Sequence, residues 1–184
     1  MSLLSCVSGM WQPGIGDPGA TGWLTVLAYL LCCVLAVQVW RRLKGQRGRV
    51  FWGLVALLML FLAVNKQLDL QSAITALGRC MAQAQGWYDN RFAVQLAFIA
   101  ILLMVMLAGL AIGLNSLGGR LRHSGVALAG LSILCAFVAV RAVGFHGMDA
   151  LIGLRHLGVS TNYLFENAGL LLIALNAIWL LRRR

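Results

Sequence analysis

Acidic residues are scarce in this chain. Only five of 184 residues are Asp or Glu, and charged residues of both signs make up 11%. A soluble domain carries about 25% charged residues and about half apolar ones, whereas 61% are hydrophobic here and mean hydropathy is +0.86. A larger soluble core does not account for the excess, because a domain of this size buries only about 70% of its surface. Proline is sparse too: Pro13 and Pro18 both precede residue 20, so no long apolar run is broken by the residue that kinks helices. Unbroken spans without an inverted repeat argue against a self-contained alternating-access transporter.

Other absences exclude whole chemistries. The five cysteines form no C-x-x-C pair and no zinc-ribbon spacing. There is no H-E-x-x-H, no Walker A sequence and no G-x-S-x-G elbow. Gly14, Gly16 and Gly19 match the spacing G-x-G-x-x-G, but no strand precedes them and Pro18 restricts the backbone, so no nucleotide is expected. A bis-His haem is not expected either. His123 falls in a basic loop, while His146 and His156 share a single segment far from it. No signal peptide is visible, nor any glycosylation sequon.

What the chain does have is long apolar runs, as a bilayer of about 30 Å requires. They predict an all-α integral membrane protein: a five-helix bundle with spans at about 20–40, 50–70, 92–114, 125–143 and 163–181. Residues 1–19 read as a turn-rich extracytoplasmic tail, and 20–184 as one membrane domain. The second run is purely apolar only to Val64, about 22 Å of helix, so polar side chains follow within its outer end. Between residues 70 and 85, apolar residues at 70, 74, 77 and 81 give a helical stripe, which predicts an amphipathic helix on the outer face. Gly109 and Gly113 form a small-xxx-small pair that permits close helix approach.

Charge sets the orientation. Arg41, Arg42, Lys44, Arg47, Arg49, Arg120, Arg122 and Arg182–Arg184 cluster in three stretches that contain no acid. Short basic loops stay cytoplasmic, which places the N-terminus outside and the C-terminus inside. Basic residues at span ends are thereby explained without nucleic acid. The other five basic residues (Lys66, Arg79, Arg91, Arg141, Arg155) and all five acids (Asp17, Asp69, Asp89, Asp149, Glu166) then fall in the outer half. Cys6 and Cys80 would share an oxidising compartment, which permits but does not require a disulfide between them. Short loops and the missing sequon fit a bacterial inner membrane.

Three outer clusters carry whatever chemistry there is. Asn65, Lys66, Gln67, Asp69 and Gln71 crowd the end of the second span, where Lys66 and Asp69 at i,i+3 can neutralise each other. Arg141, His146 and Asp149 follow the fourth span; if that segment is helical, His146, Asp149 and His156 share an arc, and His146 with Asp149 could hold a metal or form a base and its orienter. Asn162, Glu166 and Asn167 open the last span. Glu166 there suits a first-turn helix dipole, pairs with Arg141, or completes a divalent metal site with His146 and Asp149. Arg91 and Gln95 line the start of the third span. Ionisable groups at membrane depth mark function by default, although charge pairs that simply lock helices explain them equally well.

The expected role is therefore an accessory subunit, or a lipid or small-ligand binder, at the outer membrane face. Its partners would be membrane lipid and other membrane subunits or further copies of itself, not nucleic acid. The alternative is a membrane-embedded, metal-dependent enzyme acting on a lipid-linked or periplasmic substrate, with His146, Asp149 and Glu166 as the catalytic set. A third class is an oligomeric ion or solute pathway.

Overall fold

A computed structural model describes residues 3–12, 14, 18–68, 70–86, 91–143, 155–156 and 159–183. The described elements are helices apart from one two-residue antiparallel pair. Helix α1 spans Leu3–Met10, α2 Ala20–Arg42, α3 Arg49–Leu68, α4 Leu70–Gln85, α5 Arg91–Leu117, α6 Leu121–Val143 and α7 Thr161–Arg182. Five of these, α2, α3, α5, α6 and α7, are long and apolar enough to cross a membrane. Helix α1 lies in the stretch that the prolines mark as tail.

The spans form a closed ring. Each packs on its neighbour in the order α2, α3, α5, α6, α7, and α7 returns to α2. The reason lies in buried stripes at helical spacing. In α2 the inward face is Gly22, Thr25, Val26, Tyr29, Cys32, Ala36 and Val39; in α3 it is Phe51, Trp52, Val55, Ala56, Met59, Leu62 and Ala63. Small residues set the closest approach. A Cβ on Gly130 of α6 would sit 2.7 Å from the Gly169 carbonyl of α7, and one on Gly169 would sit 2.9 Å from the Gly130 carbonyl. These two glycines therefore let the α6 and α7 backbones touch. The sequence pair Gly109/Gly113 does something else: Gly113 accommodates the Phe51 ring, while a Cβ on Gly109 would meet nothing.

Polar contacts define the two ends. At the basic end, Ser116 of α5 accepts the Gly48 amide through its carbonyl at 2.8 Å and the Phe51 amide through its hydroxyl at 3.3 Å. The fully buried Trp52 indole donates to Ser124 Oγ at 3.3 Å. Asn176 of α7 accepts from the Ala127 amide at 3.2 Å and donates to the His123 carbonyl at 2.9 Å. Helix α5 is the peripheral member: 11% of its span is buried, against 28–39% in the others.

At the opposite end, α4 continues directly from α3 and carries α1, joined by a Cys6–Cys80 disulfide. The amphipathic helix expected at 70–85 is present, but its packed face is small: Ala76, Cys80 and Ala82 are buried, whereas Leu77 and Met81 stay exposed. A disulfide demands a Cα–Cα approach near 6 Å, here 5.9 Å. His156 itself is not helical: it pairs with Val159 in a two-residue ladder leading into α7, and residues 144–154 of the segment expected to carry it lie outside the described residues.

Candidate functional site

The site assembles from three of those stripes. Lys66 falls one turn beyond Leu62 and two beyond Met59, so it prolongs the buried face of α3. Glu166 opens the buried face of α7, ahead of Gly169, Leu170 and Ile173. Tyr29 occupies the middle of the α2 stripe. The ring order brings all three together.

Glu166 is 4% exposed and both of its oxygens are engaged. Tyr29 Oη donates to Oε1 at 2.9 Å, and Lys66 Nζ reaches Oε2 at 3.0 Å. The Tyr29 ring is fully buried, and the Lys66 and Glu166 side chains are largely withdrawn from solvent. One layer deeper, Cys32 Sγ donates to the Leu170 carbonyl at 3.3 Å. Toward the helix ends, Asn167 Nδ2 donates to Thr25 Oγ1 at 3.4 Å and to the Tyr163 carbonyl at 2.9 Å, while Thr25 returns its hydroxyl to the Thr21 carbonyl at 2.9 Å. The result is a polar layer that ties α2, α3 and α7 together.

This geometry revises two expectations. Helix α7 begins at Thr161 and has no acid in its first turn, so Glu166 lies beyond the reach of the terminal dipole, which fades within one turn. Its partners are Lys66 and Tyr29. In the sequence, Lys66 and Glu166 belonged to separate clusters 100 residues apart; the fold makes them an ion pair.

The remaining candidates are distributed as follows. Asn65 is half-buried beside Lys66. Both amide atoms of Gln67 are buried, and neither has a partner among the described residues. Gln71 lies in the first turn of α4, Arg91 and Gln95 in the first turns of α5, Arg141 in the last turn of α6, and Asn162 is the second residue of α7. Asp69, His146 and Asp149 lie outside the described residues. Among the described residues no group of three metal-ligating side chains occurs. The sequence reading missed Thr25, Tyr29 and Asn176. The available signal was a polar side chain within an apolar run at the spacing of the buried stripe.

Fold and site together define a five-helix bundle of membrane-spanning proportions, with a buried Lys–Glu–Tyr junction near one end and a disulfide-linked helix pair beyond it. No protein-family model, curated protein or solved structure matches the chain.

Proposed function

We propose that this protein is an accessory subunit of a membrane assembly, held in a bacterial inner membrane with its N-terminus outside, that binds its partner through the outer face. The observation that carries this reading is the disulfide-linked α1–α4 pair at the end opposite the basic loops. Disulfides persist in oxidising compartments, and short Lys/Arg-rich loops remain cytoplasmic. Two independent rules thus support the same orientation. The covalent link fixes two short helices against each other at that end. Exposed Leu77, Arg79, Met81 and Gln83 give that cap a mixed apolar and polar face.

The Glu166 junction supports a binding subunit over a metal-dependent enzyme. Both carboxylate oxygens are already taken by Lys66 and Tyr29, so the acid offered to a metal or substrate is committed to holding three helices. Such a junction suits a rigid scaffold that positions an outer surface.

Site-specific photo-crosslinking in native membranes tests the proposal. A crosslinker at Leu77, Arg79 or Gln83 is expected to yield a discrete protein adduct, whereas one at lipid-facing Leu57 or Leu60 yields none. Adducts to lipid alone at every cap position would remove the accessory-subunit reading.

A further inference from the structure

We propose that the basic end of the bundle contains a binding site for the phosphate-bearing headgroup of an anionic phospholipid, set between α2, α6 and α7. A cavity of about 370 Å³ opens there, lined by Arg42, Gln46, Arg47, His123, Ser124 and Arg183, with aliphatic side chains completing its wall. This is within the size range of small-molecule sites. The proposal rests on the membrane reading but not on the outer-face role.

The side chains at this end supply no counter-charge. No Asp or Glu occurs in residues 18–68, 90–148 or 167–184, and the one acid among the described residues, Glu166, is bound at the other end. Three guanidinium groups therefore share the cavity with no acidic side chain beside them among the described residues.

Their positions are organised. Arg42 donates to the carbonyls of Leu181 and Arg183, the latter at 2.6 Å, so it closes the end of α7. The Arg183 guanidinium stacks on Trp179 at 3.7 Å from the ring centre. The Arg47 side chain packs over Gly118, at a site where a Cβ would sit 3.1 Å from a guanidinium nitrogen. Carbonyl oxygens and a ring face satisfy direction but leave the net charge uncompensated. Guanidinium groups match phosphate geometry, and basic pockets between spans on the cytoplasmic side suit anionic headgroups.

The aliphatic wall selects the source of the phosphate. An inorganic anion would leave that wall wet, whereas a glycerophosphate group brings its own apolar portion. Trp179, packed near the His123 ring at 5.9 Å, belongs to the interfacial aromatic level where headgroups lie.

The test uses the full chain in nanodiscs of phosphatidylcholine containing a minor fraction of phosphatidylglycerol, with bound lipid counted by native mass spectrometry. Phosphatidylglycerol is expected to be enriched on the wild-type protein. Arg47→Gln with Arg183→Gln should reduce that enrichment more than tenfold, since each cation in direct contact with the headgroup contributes about a fivefold factor. Arg41→Gln with Lys44→Gln removes equal charge from exposed positions outside the cavity and should change it less than twofold. If the first double variant does not elute like wild type, the single Arg47→Gln on the connecting loop carries the test, with about a fivefold loss. Inorganic phosphate alone should not displace the lipid. Three results would overturn the proposal: equal losses in both double variants, no enrichment in the wild type, or complete displacement by inorganic phosphate.

Discussion

The two ends of the bundle handle charge in opposite ways. At the end bearing α4, a cation and a tyrosine hydroxyl share one carboxylate inside the ring. At the basic end, the cations stay at the rim: Arg42 bonds backbone carbonyls, and Arg49 and Arg183 lie over indole faces. The first arrangement is internally neutral and depends on every partner being present. The second tolerates loss of a member but leaves a field that attracts anions. Removing one charge should therefore be costly at one end and mild at the other.

The largest effect is expected from Glu166→Gln. It leaves Lys66 inside the ring without its anion, and breaking a buried pair costs about 3–5 kcal/mol. Unfolding in mixed detergent measures it. The double variant Lys66→Met with Glu166→Leu should recover most of the loss, because an apolar replacement of both partners leaves no orphaned charge. A double variant no more stable than the single would show that the junction does not depend on charge pairing.

Next comes Gly130→Ala, which acts between the two ends. Its new Cβ would meet a backbone carbonyl, not a flexible side chain, so α6 and α7 must separate, at about 1–3 kcal/mol. Both Asn176 contacts and the Glu166 junction should loosen together, visible as faster amide exchange along α7. The same substitution at Gly109, where space is open, should be neutral or slightly stabilising.

Arg42→Gln should cost less, about 1 kcal/mol, since it removes an exposed cation from the carbonyls at the α7 terminus. The effect is expected as fraying of the last turn in amide exchange, with the α2–α3–α7 junction unchanged. Smallest for the bundle is reduction of the Cys6–Cys80 bond. It should free α1 from α4, raising protease cleavage within residues 3–10, while the thermal unfolding of the five spans barely moves. Collapse of the whole bundle on reduction would mean the cap holds the ring together.

Much of the fold was legible because of a coarse rule: a run of about twenty apolar residues predicts a helix long enough to cross a bilayer, and five such helices are present. Trp40, Arg41 and Arg42 mark the end of α2 on composition alone. The Lys66–Glu166 pair was not legible, because each residue has a local explanation nearby, Asp69 for one and a helix terminus for the other. Choosing between partners required the ring order, which puts α3 and α7 on either side of α2. Tyr29 and Thr25 were overlooked for a related reason: a hydroxyl in an apolar run looks incidental until the stripe it belongs to is seen to face another polar group. In α4 the buried Ala76 and Ala82 lay off the expected stripe because alanine counts as weakly apolar, so the larger Leu77 and Met81 drew the reading.

Sidedness carries the whole account, and cysteine labelling in intact cells or sealed vesicles reads it directly. Single reporter cysteines at Gln46, Gly119 and Gln83, in a chain whose own cysteines outside the Cys6–Cys80 bond are replaced by serine or alanine, can be probed with a membrane-impermeant maleimide. The account predicts that Gln83→Cys is labelled from outside, and that Gln46→Cys and Gly119→Cys are labelled only after the membrane is opened. Labelling of Gln46→Cys or Gly119→Cys in intact cells, with Gln83→Cys protected, would contradict it.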